Sequence, residues 1–486
     1  MAPNPPDNLP FWLRPPALIA FVVAVLAIRF LVAGSTGLVR DEAYYTLWSL
    51  HLSPGYLDHP PMVAWLIAAG RALLGNGELA VRLFPVLSAA IVAFAVYRTG
   101  RLLFDAATAG LAVIWFTLTV ATGLLFLATP DAPVVAFWAL AVWAVAEFVA
   151  RRNANWWLVA GLFAGLALLS KYTAFFLGAG LVLYLVTSRE RRAWLGLWQL
   201  WAGGALALLI LAPNLIWNAQ NGWATFAFQG QRLGGYGTSL GSMLGNLGEL
   251  IAGQALALGI FLFVFLLVGM FVFFRRRDLP GRTNLALPVF IGLPMLIAFL
   301  VYTALYRVEA NWLLPVWPML SLAGAWAAVH VRPMGGFARP LLAAMRWAQA
   351  PLGALLVLLL YVQALWHPFP LPPLVDRTSD MRGWAALEAE VTALAAANEL
   401  LDTWIGRYTL GRAHLAAGEP ATRQDRLHAG RAIGGHRGLR MAAEKGEPLM
   451  PQSRLPHSLS LRILTCHSFL PVAKSRANSS PVAPNE

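Results

Sequence analysis

Between Pro16 and Trp366 the chain is a succession of long apolar runs separated by short polar or basic links. Many of these runs approach the roughly 20 residues that a helix needs to cross hydrocarbon. They do not alternate as the strands of a membrane barrel do. The pattern predicts about eleven membrane helices, at 16–34, 78–97, 108–126, 133–150, 155–169, 174–187, 199–216, 251–274, 286–304, 312–329 and 348–366. The fifth and sixth are short, as tilted, broken or re-entrant segments are. The expected fold class is an all-α polytopic membrane protein.

Composition agrees. Of 486 residues 58% are hydrophobic and only 12% charged, too few to cover a soluble surface of this size. The formal net charge of +13 raises the question of nucleic acid, and its distribution answers it. Arginines cluster in alternate links, at Arg98 and Arg101, Arg151 and Arg152, Arg189 to Arg192, Arg275 to Arg277, and Arg332 to Arg346. That is the positive-inside pattern of a multi-pass protein in contact with anionic lipid, so no nucleic-acid partner is expected. It places residues 1–15 in the cytoplasm as a short lead. A retained first span is expected there rather than a cleaved signal peptide. A single cysteine, Cys466, excludes a disulfide scaffold and a multi-cysteine metal site.

The same parity puts 35–77, 127–132, 217–250 and 305–311 on the far side of the membrane. Those links hold most of the unusual polar residues. Segment 35–77 carries Arg40, Asp41, Glu42, Tyr44, Tyr45, Tyr56, Asp58 and His59. Two interfacial helices, at 41–52 and 61–74, fit its pattern on either side of Ser53-Pro54-Gly55. Asp131 stands between Pro130 and Pro133, and Lys171 and Tyr172 lie between two short spans. Arg232 lies in a glycine-rich link, and Arg307, Glu309 and Asn311 precede the tenth span.

Each of these has a plain reading beside a functional one. Asp41 and Glu42 are either ordinary charges at a membrane face or carboxylates able to take a proton from a hydroxyl acceptor. Asp58 either caps the helix after Pro60-Pro61 or, with His59, orients a substrate or a metal. Two ligands fall short of a metal site, so a divalent metal stays open and no cofactor is required. Asp131 either caps the fourth span or joins Asp41 in space. Lys171 either snorkels or holds a lipid phosphate, and Arg307 with Glu309 form an external ion pair or hold a sugar or phosphate. Together the set suits transfer from a lipid phosphate ester to a hydroxyl, with cations receiving the developing phosphate charge. A transporter or flippase would place ionisable groups at mid-membrane and show paired repeats, and neither is seen.

Six motifs in order carry a family resemblance. They are Asp41-Glu42-Ala43-Tyr44-Tyr45, Gly55-Tyr56-Leu57-Asp58-His59-Pro60-Pro61-Met62, Ala128-Thr129-Pro130-Asp131-Ala132-Pro133, Leu169-Ser170-Lys171-Tyr172-Thr173, Ile216 to Trp223, and Arg307-Val308-Glu309-Ala310-Asn311-Trp312. Over about residues 16–410 the chain resembles the bacterial dolichyl-phosphate-mannose-protein mannosyltransferase-like glycosyltransferases (glycosyltransferase family 39), the group that includes the aminoarabinose transferases acting on lipid A. The resemblance implies a GT-C membrane fold, a polyprenyl-phosphate-linked sugar donor, and a cell-envelope glycolipid, glycan or protein as acceptor. It implies Asp41 as base, with Glu42 beside it and Asp131 as second acid. Lys171 and Arg307 are the candidates for the donor phosphate, and Arg40, Tyr44, Tyr45, Tyr56, Asp58, His59, Tyr172, Arg232, Glu309 and Asn311 are further expected substrate-binding positions. Where the aminoarabinose transferases have Glu-Lys before the double proline, this chain has Asp58-His59.

Beyond Trp366 an external soluble segment is expected at 367–417, with a modest helix at 384–401. From 418 to 486 the text loses periodicity, as a disordered tail does. The likeness fades after Arg407-Tyr408, which fits a shifted reading frame or a truncated domain.

Overall fold

The computed structural model describes residues 9–231, 239–276, 278–279, 281–331, 338–372, 376, 378–383 and 389. Arg232, nearly all of the helix expected at 384–401, Arg407-Tyr408 and the segment from 418 lie outside the described residues. Among the described residues all regular structure is helical. The helices are α1 (Pro15–Ser35), α2 (Arg40–Leu50), α3 (Met62–Leu74), α4 (Glu78–Leu103), α5 (Ala106–Thr117), α6 (Val120–Gly123), α7 (Asp131–Arg151), α8 (Trp156–Ser170), α9 (Phe175–Val186) and α10 (Arg189–Arg192). There follow α11 (Trp198–Gln220), α12 (Ala224–Gln231), α13 (Leu240–Leu258), α14 (Ile260–Arg275), α15 (Ala286–Tyr302), α16 (Trp317–His330) and α17 (Ala338–Trp366).

Every expected apolar segment is helical, yet the number of full spans differs from eleven. Among the described residues seven helices are long and apolar enough to cross a membrane, or up to nine if each of two sharply bent pairs makes one span. The shortfall is one of length. Helix α5 has 12 residues, about 18 Å at the standard rise, against roughly 30 Å of hydrocarbon. The expected single span 251–274 is also corrected: α13 and α14 meet there at 108°. Gly259 makes the break with a φ of 81°, which a side chain would resist. Gln349, reaching over from α17, accepts from the Leu262 N–H at 2.9 Å and donates to the Leu258 carbonyl at 3.2 Å. It thereby satisfies backbone groups that lipid would leave without partners.

The bundle packs by close backbone approach rather than by amphipathic faces. A methyl added to Gly161 in α8 would lie 2.1 Å from the Gly203 carbonyl oxygen in α11, so only glycine lets these helices touch. Helices α7 and α16 are the most enclosed, while residues such as Val23, Leu31, Leu208, Leu209 and Phe271 face outward as a lipid-compatible surface. Buried charges in the bundle have partners. Glu147 accepts from Arg98 at 2.7 Å and from Trp143 at 3.1 Å. Arg29 donates to the Thr117 carbonyl at 2.8 Å, where α5 stops.

The expected interfacial helices appear as α2 and α3. Asp41 and Glu42 occupy the first turn of α2, where negative charge complements the helix dipole. Helix α3 starts directly after Pro60-Pro61 and stops at Gly75, with a φ of 87°. The C-terminus of α1, the N-termini of α4 and α7 and the C-termini of α8 and α11 all bring their chain ends toward this α2–α3 layer.

Candidate active site

The layer is organised around one enclosed carboxylate. Glu42, fully buried, accepts four hydrogen bonds. One oxygen receives the Arg82 Nε at 2.8 Å and the Ala128 N–H at 2.8 Å; the other receives the Arg82 Nη2 at 2.5 Å and the Val39 N–H at 2.9 Å. Arg82, also fully buried, spends its remaining donors on the Ala33, Thr36 and Gly37 carbonyls and the Thr36 hydroxyl. One ion pair therefore ties the end of α1, the start of α2 and the link that leads into α7.

That tie sets Asp41 and Asp131 in one neighbourhood. The group that reports it is Tyr45, buried in α2. Burial holds its hydroxyl proton well above the ordinary tyrosine range, and the nearby charges of Asp41, Asp58 and Asp131 push further in the same direction. Three carboxylates from three separate segments thus lie within electrostatic reach of one phenol. Tyr44, Trp48 and His59 surround it, with ring centroids 5.5, 5.0 and 6.2 Å away.

The acids differ in their surroundings. Asp41 is exposed, whereas Asp131 is buried and its side chain does not cap α7. Instead it accepts from Lys171 Nζ at 2.7 Å and from Asn311 Nδ2 at 2.8 Å. Lys171 is thus held on a protein carboxylate, with its side chain only 10% exposed. Tyr172, next to it, donates to Asn214 at 2.6 Å and accepts from Asn218 at 3.1 Å, bracing α11.

The turn carrying Asp58 and His59 is clamped from α11 and α12. Asn214 donates to the Pro54 carbonyl at 2.8 Å, Thr225 to that of Tyr56 at 2.7 Å, and Gln229 to that of Asp58 at 2.6 Å. Tyr56 stacks on Trp48 at 4.2 Å, and its hydroxyl accepts from the Ser53 N–H at 3.0 Å. It closes the turn from within. Arg40 reaches Asp380, beyond the last helix, at 2.9 Å. Arg307 pairs with Glu249 of α13 at 2.8 Å, both side chains being more than half exposed, and Glu309 is exposed nearby.

The structure therefore gathers Asp41, Tyr44, Tyr45, Asp58, His59 and Asp131, with Lys171 and Asn311 attached to Asp131. It turns Glu42, Tyr56 and Tyr172 inward as struts. Among the described residues no group of three or more His, Cys, Asp or Glu side chains is arranged to hold a metal ion. Sequence reading passed over Arg82, Asn214 and Asp380, and met Asn218 only as part of the Ile216–Trp223 motif. For Arg82 a signal existed, since an arginine inside an apolar span is costly unless paired.

Residues 58–217 match the sequence model of the dolichyl-phosphate-mannose-protein mannosyltransferase family. A curated relative, the lipid A galacturonosyltransferase RgtD of Rhizobium johnstonii, is 27% identical over 306 residues, 62% of this chain. The chain spans about 63% of that relative's length. Among solved structures, ArnT from Cupriavidus metallidurans bound to undecaprenyl phosphate superposes with a TM-score of 0.56 at 19% identity, over 90% of this chain and 82% of that one. Its apo form gives 0.52 at 20% identity, over 89% and 81%. The chain has the GT-C fold. Within that GT-C fold the carboxylate cluster sits where α1, α4, α7, α8 and α11 converge.

Proposed function

We propose that this GT-C protein is a membrane glycosyltransferase that moves a sugar from a polyprenyl-phosphate donor to a hydroxyl or phosphate of a cell-envelope glycolipid. The observation that carries the reading is the Glu42 tie, which holds the first turn of α2, with Asp41, against the Ala128 link that leads into Asp131. The kinship to a lipid A galacturonosyltransferase supports a glycolipid acceptor, and the likeness to ArnT supports a polyprenyl-phosphate donor.

Asp41, exposed in the first turn of α2, takes the acceptor proton as the acceptor oxygen bonds to the anomeric carbon. The bond from that carbon to the phosphate oxygen breaks, and polyprenyl phosphate departs with the electron pair. Glu42 is a positioning residue, since its carboxylate is enclosed and its four hydrogen bonds fix the entry of α2. Asp131, held by Lys171 and Asn311, orients the reactants. The alternation of the arginine clusters supports a periplasmic orientation of this end in an inner membrane, with 1–15 in the cytoplasm and 367–417 outside.

The test is transfer by the purified full-length protein, offered undecaprenyl-phosphate sugars (galacturonic acid among them) with lipid A. Asp41→Asn is expected to lower single-turnover rate by at least ~10² while donor binding persists. Near-full turnover in that variant would remove Asp41 as base; no transfer from any donor would end the reading. The family match over 58–217 favours one second reading, a protein acceptor, and a peptide arm in the same assay decides it.

A further inference from the structure

The chain after α17 does not leave the bundle directly. Gln363 near the end of that helix donates to the Asp376 carboxylate at 2.9 Å. The same carboxylate accepts from the Thr378 hydroxyl at 2.6 Å, and from Arg382. Asp376 is buried, and so is Met381, which packs with Val32, Ala33, Val86, Phe126 and Tyr361. Residues 378–383 are therefore pinned on both sides of Asp380, which is left pointing at the start of α2.

There Asp380 meets Arg40, the residue before Asp41. Both Nε and Nη2 of Arg40 fork onto a single oxygen, Asp380 Oδ2, at 3.0 and 2.9 Å. A guanidinium forked on one oxygen is also the way such a group receives a phosphate oxygen. The side chains are 43% and 41% exposed, so the pair is weak and exchanges readily. The other cations close to the carboxylates are differently placed. Arg82 is enclosed on Glu42, and Lys171 is buried on Asp131. An anionic group arriving beside Asp41 meets Arg40 one residue away, and can take it over by displacing the exposed Asp380 carboxylate.

We propose that Arg40 is a phosphate subsite of the reaction centre and that Asp380 is its resident stand-in, displaced when a phosphate-bearing lipid binds. This deepens the glycosyltransferase reading and rests on it. The ligand chemistry is a lipid phosphate, from either the donor or the acceptor. Asp380 thus sets the affinity of the subsite from outside the membrane bundle, and screens it against weak anions.

The two partners of the pair are expected to shift affinity in opposite directions. Binding to the full-length protein in nanodiscs is measured for three probes: undecaprenyl phosphate, phosphorylated lipid A and inorganic phosphate. Asp380→Asn, which takes the competing carboxylate charge away from Arg40, is expected to tighten binding of one of the two lipids about two- to fivefold. Arg40→Gln is expected to weaken the same lipid about tenfold or more, and the double variant to behave as Arg40→Gln. The lipid that responds names the source, and a response to inorganic phosphate alone overturns the proposal, as does loss of affinity in both single variants or in neither. Transfer by the wild-type protein is followed in parallel. Wild-type transfer with unmoved affinities removes the subsite and leaves the glycosyltransferase reading standing, while absent wild-type transfer removes that reading itself.

Discussion

Glu42→Gln and Asp41→Asn change neighbouring residues by the same few atoms, and the structure separates their outcomes. Glu42 offers two oxygens to four donors, two apiece. An amide replaces one oxygen by an NH₂ group, which then faces two donors whichever way it is flipped. Each orphaned buried donor costs about 1–3 kcal/mol. The enclosed Arg82 also loses its counter-charge, and breaking a buried pair costs about 3–5 kcal/mol. These penalties overlap, so Glu42→Gln is expected to destabilise by about 3–5 kcal/mol. Asp41 is exposed, and Asp41→Asn is expected to stay within about 0.5 kcal/mol of wild type. Thermal denaturation in one detergent, followed by tryptophan fluorescence, reads both. A Glu42→Gln protein that melts with the wild type would refute the account of Glu42 as the tie between α1, α2 and the link into α7. A large fall in melting for Asp41→Asn would equally contradict its exposed placement.

Lys171→Met leaves the buried Asp131 carboxylate with Asn311 alone among its hydrogen-bond donors, and is expected to cost about 3–5 kcal/mol. Adding Asp131→Asn should recover part of that loss, and a double-mutant cycle with no coupling would show the pair to be incidental. Tyr56 is pushed from the ordinary 10 up to about 12 by burial. Its folded value is the higher one, so its contribution is whole below pH 10 and drains away as pH rises toward about 12. The amount is about 2–3 kcal/mol, and Tyr56→Phe should flatten the alkaline limb of a stability profile. Gln349→Leu orphans the Leu262 N–H and the Leu258 carbonyl, with an expected loss of about 2–5 kcal/mol; unchanged melting would mean the bend is held by something else.

How much could be read beforehand depended on whether the signal was local. The apolar runs located most of the long helices, but α13 begins at Leu240, inside the link expected at 217–250, and the span expected at 108–126 is split into α5 and α6; the Ser53-Pro54-Gly55 turn with Pro60-Pro61 located α2 and α3 to within a residue or two. The bend at Gly259 was invisible because hydropathy does not register a positive φ, and its polar support comes from a distant helix. At the site, the residue types suggested a cluster at one end. The division of labour within it did not follow from type. Glu42 and Asp41 are chemically alike and adjacent, and only Arg82, forty residues onward, makes one a strut. Nor does residue type show that Lys171 rests on the Asp131 carboxylate of α7, 2.7 Å away.

The bend between α13 and α14 also imposes a timetable on biosynthesis. Its amide partner, Gln349, lies roughly ninety residues downstream of the Leu258 and Leu262 groups it satisfies. At ribosomal rates of about 5–20 residues per second, those groups wait on the order of 5–20 s for it. During that interval the nascent chain carries a kinked hairpin whose corner still has open polar groups in or near the bilayer. The bundle is consolidated only when α17 arrives. A chain released before residue 349 keeps the corner open, and such fragments should be favoured substrates for membrane quality-control proteases.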